Sequence, residues 1–128
     1  YRLIVDELPS PTAAAPKGMQ LLIRHNIPVF LNAEDRPAAQ LQWNASSAGD
    51  KTQIRVTNIG QTRAQIGRIW LEKDGKETAE LSPGLTGYAL PGHSLVREFK
   101  HPISQIQATD SQLKAQINGR AVDIMLNR

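Results

Sequence analysis

Two turn dipeptides, each lying between runs of alternating apolar and polar residues, constrain the fold of this chain more than any other feature. They are Asp74-Gly75 and Asn118-Gly119, and each separates two runs of strand length. Such pairs tolerate positive φ at both central positions of a type I′ turn, which is the strongest short-range signal for a β-hairpin. The sequence therefore predicts at least two tight hairpins.

The rest of the chain is typical of short strands. No window keeps a helical apolar stripe for three turns, whereas apolar residues alternate with polar ones at Ile54 and Val56, and again at Val122, Ile124 and Leu126. Short strands at regular spacing with turn signals between them are typical of an immunoglobulin-like sandwich. The fold class is therefore predicted to be all-β, with strands over residues 40–44, 53–58, 64–73, 76–81, 86–90, 94–100, 112–117 and 121–126.

The first third of the chain differs from this regular part. Residues 1–8 and 19–31 are strand candidates separated by a segment with three prolines, and residues 32–37 are polar, charged and closed by a proline. We interpret residues 32–37 as a linker. The predicted domains are residues 1–36, which hold two strands and the linker, and residues 37–128, which form a complete sandwich.

Composition excludes several classes of protein. The 128 residues include no Cys, which removes disulfides, thiolate metal sites and a Cys nucleophile. The apolar runs are far shorter than the ~20 residues that span a bilayer, so no stable membrane insertion is expected. The net charge of +3 is spread over scattered residues with only 5% aromatics, which disfavours nucleic-acid binding.

Motifs that carry catalysis are missing from the sequence. The three histidines lie far apart, none of them in a metal-binding spacing, and there is no nucleophile elbow, P-loop or dinucleotide fingerprint. We therefore expect no enzymatic activity, no catalytic or metal-binding residues and no cofactor.

The most informative segment is residues 19–31, the longest strand candidate, interrupted only by Pro28. Met19, Leu21 and Ile23 form one apolar face at a spacing of two, with Arg24 on the other face. One interpretation is an ordinary half-buried strand. The other is a strand donated to another protein, because an exposed edge with large alternating apolar side chains is an aggregation hazard unless it has a partner.

The order and spacing of several motifs resemble those of the periplasmic pilus-assembly chaperones, which are PapD-like, and within them the archaic, Csu-like branch. The first strand ends in an acidic-Leu-Pro sequence, and the second closes with Ile27-Pro28-Val29-Phe30. The later matches are the V-x-N-x-G run at residues 56–60 and the Leu-Pro-Gly turn at residues 90–92.

The resemblance implies a function. Residues 1–36 would be the last two strands of an N-terminal immunoglobulin-like domain, and residues 37–128 the C-terminal immunoglobulin-like domain. The family inserts its last N-domain strand into the open groove of a pilus subunit and delivers that subunit to the outer-membrane usher. Met19, Leu21 and Ile23 would be the subunit-binding residues, whose apolar side chains fill pockets in that groove. The partners would be pilus or fimbrial subunits and the usher, in the periplasm of a Gram-negative bacterium.

The sequence departs from the family pattern at the residue that binds the C-terminal carboxylate of the subunit. The better-known members use a Lys in this strand, and its position falls at Pro28 here. Arg24 is the basic residue best placed to substitute, with Arg2 as a second candidate, because a guanidinium can form a two-point bond with a carboxylate. A solvated surface arginine is the alternative for both.

The alternative function is a structural or adhesive immunoglobulin-like module that self-associates through its edge strand. The chain begins inside a strand pattern and without Met, so we expect it to be a piece of a longer protein. Two strands cannot hold half a sandwich together, so we expect this fragment not to capture subunits normally. We expect its residues 1–31 to pair with something, most simply another copy of the chain.

Overall fold

The computed structural model describes residues 1–9, 21–31 and 37–127. The chain divides into two compact units, Tyr1–Glu34 and Asp35–Arg128. In the smaller unit, β1 (Arg2–Asp6) pairs antiparallel with β2 (Arg24–Pro28).

The larger unit is built almost entirely from strands. Among its described residues these are β3 (Leu41–Ala48), β4 (Lys51–Asn58), β5 (Ala64–Lys73), β6 (Lys76–Ser82), β7 (Gly87–Ala89), β8 (Ser94–Phe99), β9 (Gln112–Ile117), β10 (Arg120–Ile124) and β11 (Leu126–Asn127). A one-turn helix, α1 (Ile103–Ile106), connects β8 to β9 and was not predicted. The described residues contain no helix long and apolar enough to cross a membrane.

Two sheets form the larger unit. One has the order β10-β9-β5-β6 with β7 also beside β5, and the other has the order β11-β3-β4-β8. Buried residues of both sheets form a single core, including Trp43, Ile54, Val56, Ile66, Ile69, Leu71, Phe99 and Leu113. The all-β prediction is confirmed, and the arrangement is consistent with an immunoglobulin-like sandwich.

Both predicted hairpins are present. Asp74 and Gly75 have φ of 52° and 73°, and they join β5 to β6. Asn118 and Gly119 have φ of 49° and 82°, and they join β9 to β10. Positive φ at both central residues is the type I′ geometry expected of these dipeptides.

Asn58 is a fully buried polar residue that joins the loop after β4 to the end of β7 and to the turn that follows β7. Its side-chain amide donates to the carbonyl oxygens of Thr62 at 2.7 Å and Ala89 at 2.9 Å, and its side-chain oxygen accepts from the backbone N–H of Gly60 at 2.9 Å. Its backbone oxygen accepts from Gly92 N–H at 2.8 Å. The V-x-N-x-G run and the Leu-Pro-Gly turn, distant in sequence, are therefore bonded to each other through this asparagine.

The prediction of one strand over residues 121–126 is wrong. Ile124 pairs with Leu113 in one sheet, whereas Leu126 pairs in parallel with Trp43 in the other. The exposed Met125 lies at the crossing between the two sheets. Val122, Ile124 and Leu126 thus do not share one face, because the chain moves from one layer of the sandwich to the other after Ile124.

Candidate functional site

The predicted subunit-binding residues belong to the smaller unit. Met19 lies outside the described residues. Leu21 and Ile23 are described, but they precede β2, which begins at Arg24. The prediction of a continuous strand over residues 19–31 is therefore wrong for its described part, because the partner strand β1 ends at Asp6 and gives regular pairing to five residues only.

Main-chain hydrogen bonds continue the pairing slightly beyond both strand ends. Glu7 N–H donates to the Ile23 carbonyl at 3.0 Å, and Val29 N–H donates to the Tyr1 carbonyl at 2.9 Å. The Ile23 N–H donates to the Glu7 carboxylate at 3.3 Å. Ile23 is thus held opposite Glu7 at the entry to β2, and Leu21 is the position that extends beyond the pairing.

One face of this two-stranded hairpin is apolar. Leu3 lies directly opposite Ile27, and Val5 lies opposite His25, and directly opposed residues of an antiparallel pair project to the same face. By the same alternation the face also contains Tyr1, Ile23 and Val29. Leu3, Val5 and Ile27 are 51%, 46% and 45% exposed, so about half of the surface of these apolar residues remains uncovered.

The other face is polar and contains both candidate carboxylate anchors. Arg24 lies opposite Asp6 and donates to its two carboxylate oxygens, at 2.6 Å from Nε and 2.9 Å from Nη2. This hydrogen bonding raises the pKa of the Arg24 guanidinium above its ordinary value. Arg2 donates to the side-chain oxygen of Asn26 at 3.3 Å. Asp6 is the partner that sequence reasoning missed.

A signal for that pair exists in the sequence, but it depends on the register. Asp6 and Arg24 carry opposite charges, and such residues attract when they are directly opposite on one face of a sheet. The sequence does not specify which residue of the second strand lies opposite Asp6, so the pair could not be identified without the structure.

The outer edge of β2 carries main-chain groups that β1 does not use. The residues that bond to β1 are the odd-numbered ones, as the bonds at Ile23 and Val29 indicate. The even-numbered residues Arg24, Asn26 and Pro28 therefore direct their backbone groups away from β1. Among the described residues, no other strand pairs with β2. Pro28 can offer only its carbonyl, since proline has no N–H.

Across residues 1–9, 21–31 and 37–127, no group of three or more His, Cys, Asp or Glu side chains is placed to hold a metal ion. Several charged side chains of the larger unit form ion pairs, such as Arg68 with Glu77 and Glu80 above the ring of Trp70.

Comparisons with known proteins do not assign the chain to a family. No family model matches it, and searches of curated proteins and of solved structures found no significant similarity.

Proposed function

We propose that this chain is the subunit-binding part of a non-enzymatic periplasmic chaperone, which binds and stabilises pilus or fimbrial subunits by donating a strand and delivers them to the outer-membrane usher. The observation that carries the proposal is the β1–β2 hairpin, which combines an exposed apolar face with an outer edge on β2 that no other described strand pairs with. Recognition by strand addition needs both features, because main-chain bonds supply affinity and alternate side chains supply register.

The residues that precede β2 supply the apolar contacts in this proposal. Leu21 is 76% exposed and Ile23 is 47% exposed, so most of the Leu21 side chain and about half of Ile23 are available for burial in a partner. Full burial of such a side chain is worth about 1.5–3 kcal/mol. Met19 would add a third contact at the same spacing.

Arg24 is the proposed anchor for the terminal carboxylate of the subunit. Its guanidinium already binds one carboxylate, that of Asp6, in the two-point geometry that such an anchor needs. Its side chain is 70% exposed, so an incoming carboxylate can reach it. Arg2 lies on the same face and remains the second candidate.

Subunit capture tests the proposal directly. The full gene product that contains this chain is co-expressed with a pilus subunit from the same operon, and the complex is purified through a tag on the subunit. We expect capture by the wild type and its loss in the double variant Leu21→Arg/Ile23→Arg. Leu85→Arg is the matched control, since Leu85 is an exposed leucine of the larger unit. Undiminished capture by the double variant would show that these residues are not the donor segment.

A self-associating structural or adhesive module remains the second candidate function. The observation that favours it is that, within the described residues, the outer edges of β1 and β2 pair with no further strand. This candidate predicts assembly of the chain with itself and no complex with a pilus subunit in the same co-expression experiment.

A further inference from the structure

Asn118, in the turn between β9 and β10, is the one asparagine of the chain that precedes a glycine. The main-chain nitrogen that follows an asparagine can attack the side-chain amide carbon of that residue, and glycine has the least hindered nitrogen because it has no Cβ. The space around Gly119 is also open, since a Cβ there would meet no atom within 4 Å. Both residues are exposed, so water reaches the turn.

The hydrogen bonds of the turn favour such an attack. The side-chain oxygen of Asn118 accepts from the Gln65 N–H at 2.9 Å, and the Asn118 N–H donates to the Gln65 carbonyl at 3.0 Å. A hydrogen bond to an amide oxygen stabilises the negative charge that develops on it when the amide carbon is attacked. The main-chain pairing that closes the turn is between Ile117 and Arg120, so it does not use the Gly119 nitrogen.

We infer that Asn118 is a site of spontaneous deamidation, which converts it through a cyclic imide into aspartate and isoaspartate. The Gly119 nitrogen forms a bond to Cγ of Asn118 and gives up its proton, while the Cγ–Nδ2 bond breaks and Nδ2 leaves with that proton as ammonia. Water then opens the ring. Opening at Cγ gives aspartate, and opening at the main-chain carbonyl carbon of Asn118 gives isoaspartate. Water is the only co-reactant in this sequence.

Two other residues show what sets Asn118 apart. Asn58 is fully buried and precedes Ile59, and its amide nitrogen donates to two main-chain carbonyls, which hold the group that would have to leave. Asp74 lies in the other hairpin turn and has the same positive φ before a glycine. It carries no amide nitrogen, so it has no ammonia to lose.

The isoaspartate product changes the hairpin, whereas the aspartate product preserves it. In isoaspartate the main chain runs through Cβ and Cγ, which adds one atom to a two-residue loop and removes the side-chain acceptor of the Gln65 N–H. Loop length sets hairpin register, so the pairing of β10 with β9 weakens. Among the described strands β10 pairs only with β9, and it places Ile124 in the core. The inference does not depend on the proposed function, since this hairpin lies in the larger unit.

Ageing of the purified protein tests the modification. The protein is incubated at mildly alkaline pH, and peptide mapping by mass spectrometry follows the conversion of each asparagine to aspartate and isoaspartate. We expect conversion at Asn118 to be many-fold faster than at Asn44, which is also exposed but precedes Ala45. Equal rates at the two positions, or an Asn118 that keeps its amide, would overturn the inference.

Unfolding of the aged protein tests the effect on the hairpin. The isoaspartate form is separated by chromatography, and its urea midpoint should be lower than that of fresh wild type, whereas the Asn118→Asp variant should match fresh wild type. Asn118→Gly is the control for ageing, because Gly-Gly also suits a type I′ turn but has no amide to lose, and its midpoint should not fall with age. An isoaspartate form as stable as Asn118→Asp would overturn the weakening of β10, as would an equal decline of aged Asn118→Gly.

Discussion

The guanidinium of Arg24 and the carboxylate of Asp6 form a two-point ion pair across the β1–β2 hairpin, at 2.6 Å for the shorter contact. Both side chains are well exposed, so the pair itself contributes little to stability. Its importance lies in geometry, because it holds the guanidinium oriented toward the polar face of the hairpin.

That relationship separates two roles for Arg24 in the proposed complex. If Arg24 binds the terminal carboxylate of the subunit, Arg24→Ala weakens capture about tenfold, whereas Asp6→Asn leaves capture unchanged or tightens it by removing a competing carboxylate. The measurement is the affinity of the full gene product for a purified subunit. Equal losses in both variants would mean that Arg24 serves only to pair with Asp6.

Asn58 should be among the most sensitive positions of the larger unit. Asn58→Ala leaves the carbonyls of Thr62 and Ala89 without their side-chain donor in a buried site, and we expect a loss of roughly 1–3 kcal/mol in the free energy of unfolding. Urea denaturation measures it. The control is Asn44→Ala, an exposed position on β3, which should change stability by less than about 0.5 kcal/mol. Similar effects at both positions would contradict the role of Asn58.

Gly60 is required by close packing of the backbone. A Cβ at this position would lie 2.5 Å from the Gln40 nitrogen and 2.6 Å from the Ala38 oxygen, and backbone atoms cannot yield as a flexible side chain can. Gly60→Ala should therefore destabilise the larger unit by about 1–3 kcal/mol in thermal or urea unfolding. Gly84→Ala is the matched control, since a Cβ there meets no atom within 4 Å. Equal stability of the two variants would contradict this packing.

Acid should weaken the larger unit through Glu72. Hydrogen bonds from Lys114, at 2.8 Å, and from the Trp70 indole lower the pKa of Glu72 below its ordinary value of 4.5. A lowered pKa in the folded state gives stability that is present above pH 4.5 and lost as pH falls through the folded pKa.

The measurement is the unfolding midpoint between pH 7 and pH 3. Glu72→Gln should flatten its decline below pH 4.5, because the variant has no carboxylate to protonate at this site. Glu98→Gln serves as the control, since that carboxylate makes only a loose 3.8 Å contact with Lys51 and its removal should preserve the wild-type decline. A Glu72→Gln profile that matches the wild type would count against the mechanism.

The features of the fold that depend on residues close together in the sequence could be predicted from the sequence. The hairpins at Asp74-Gly75 and Asn118-Gly119 follow from turn chemistry, and the alternation around Ile54 and Val56 matches their burial in β4.

Features that depend on distant residues could not be predicted. Ile124 and Leu126 are two residues apart, as they would be in a single strand, so the sequence pattern does not reveal the crossing at Met125. In the structure, Ile124 pairs with β9 and Leu126 pairs with β3. In the candidate site, the length of β2 is limited by the extent of β1, and the Arg24–Asp6 pair depends on the register between them.

The crossing at Met125 also bears on when the larger unit can complete its fold during synthesis. Leu126 and Asn127 cover the edge of β3, so that edge stays open until nearly all of the described chain has emerged from the ribosome. An open strand edge is a template for pairing with other chains. We therefore expect nascent chains that stop before Leu126 to be the most vulnerable to aggregation. A chaperone that covers the edge of β3 would be needed only until Leu126 and Asn127 have been synthesised.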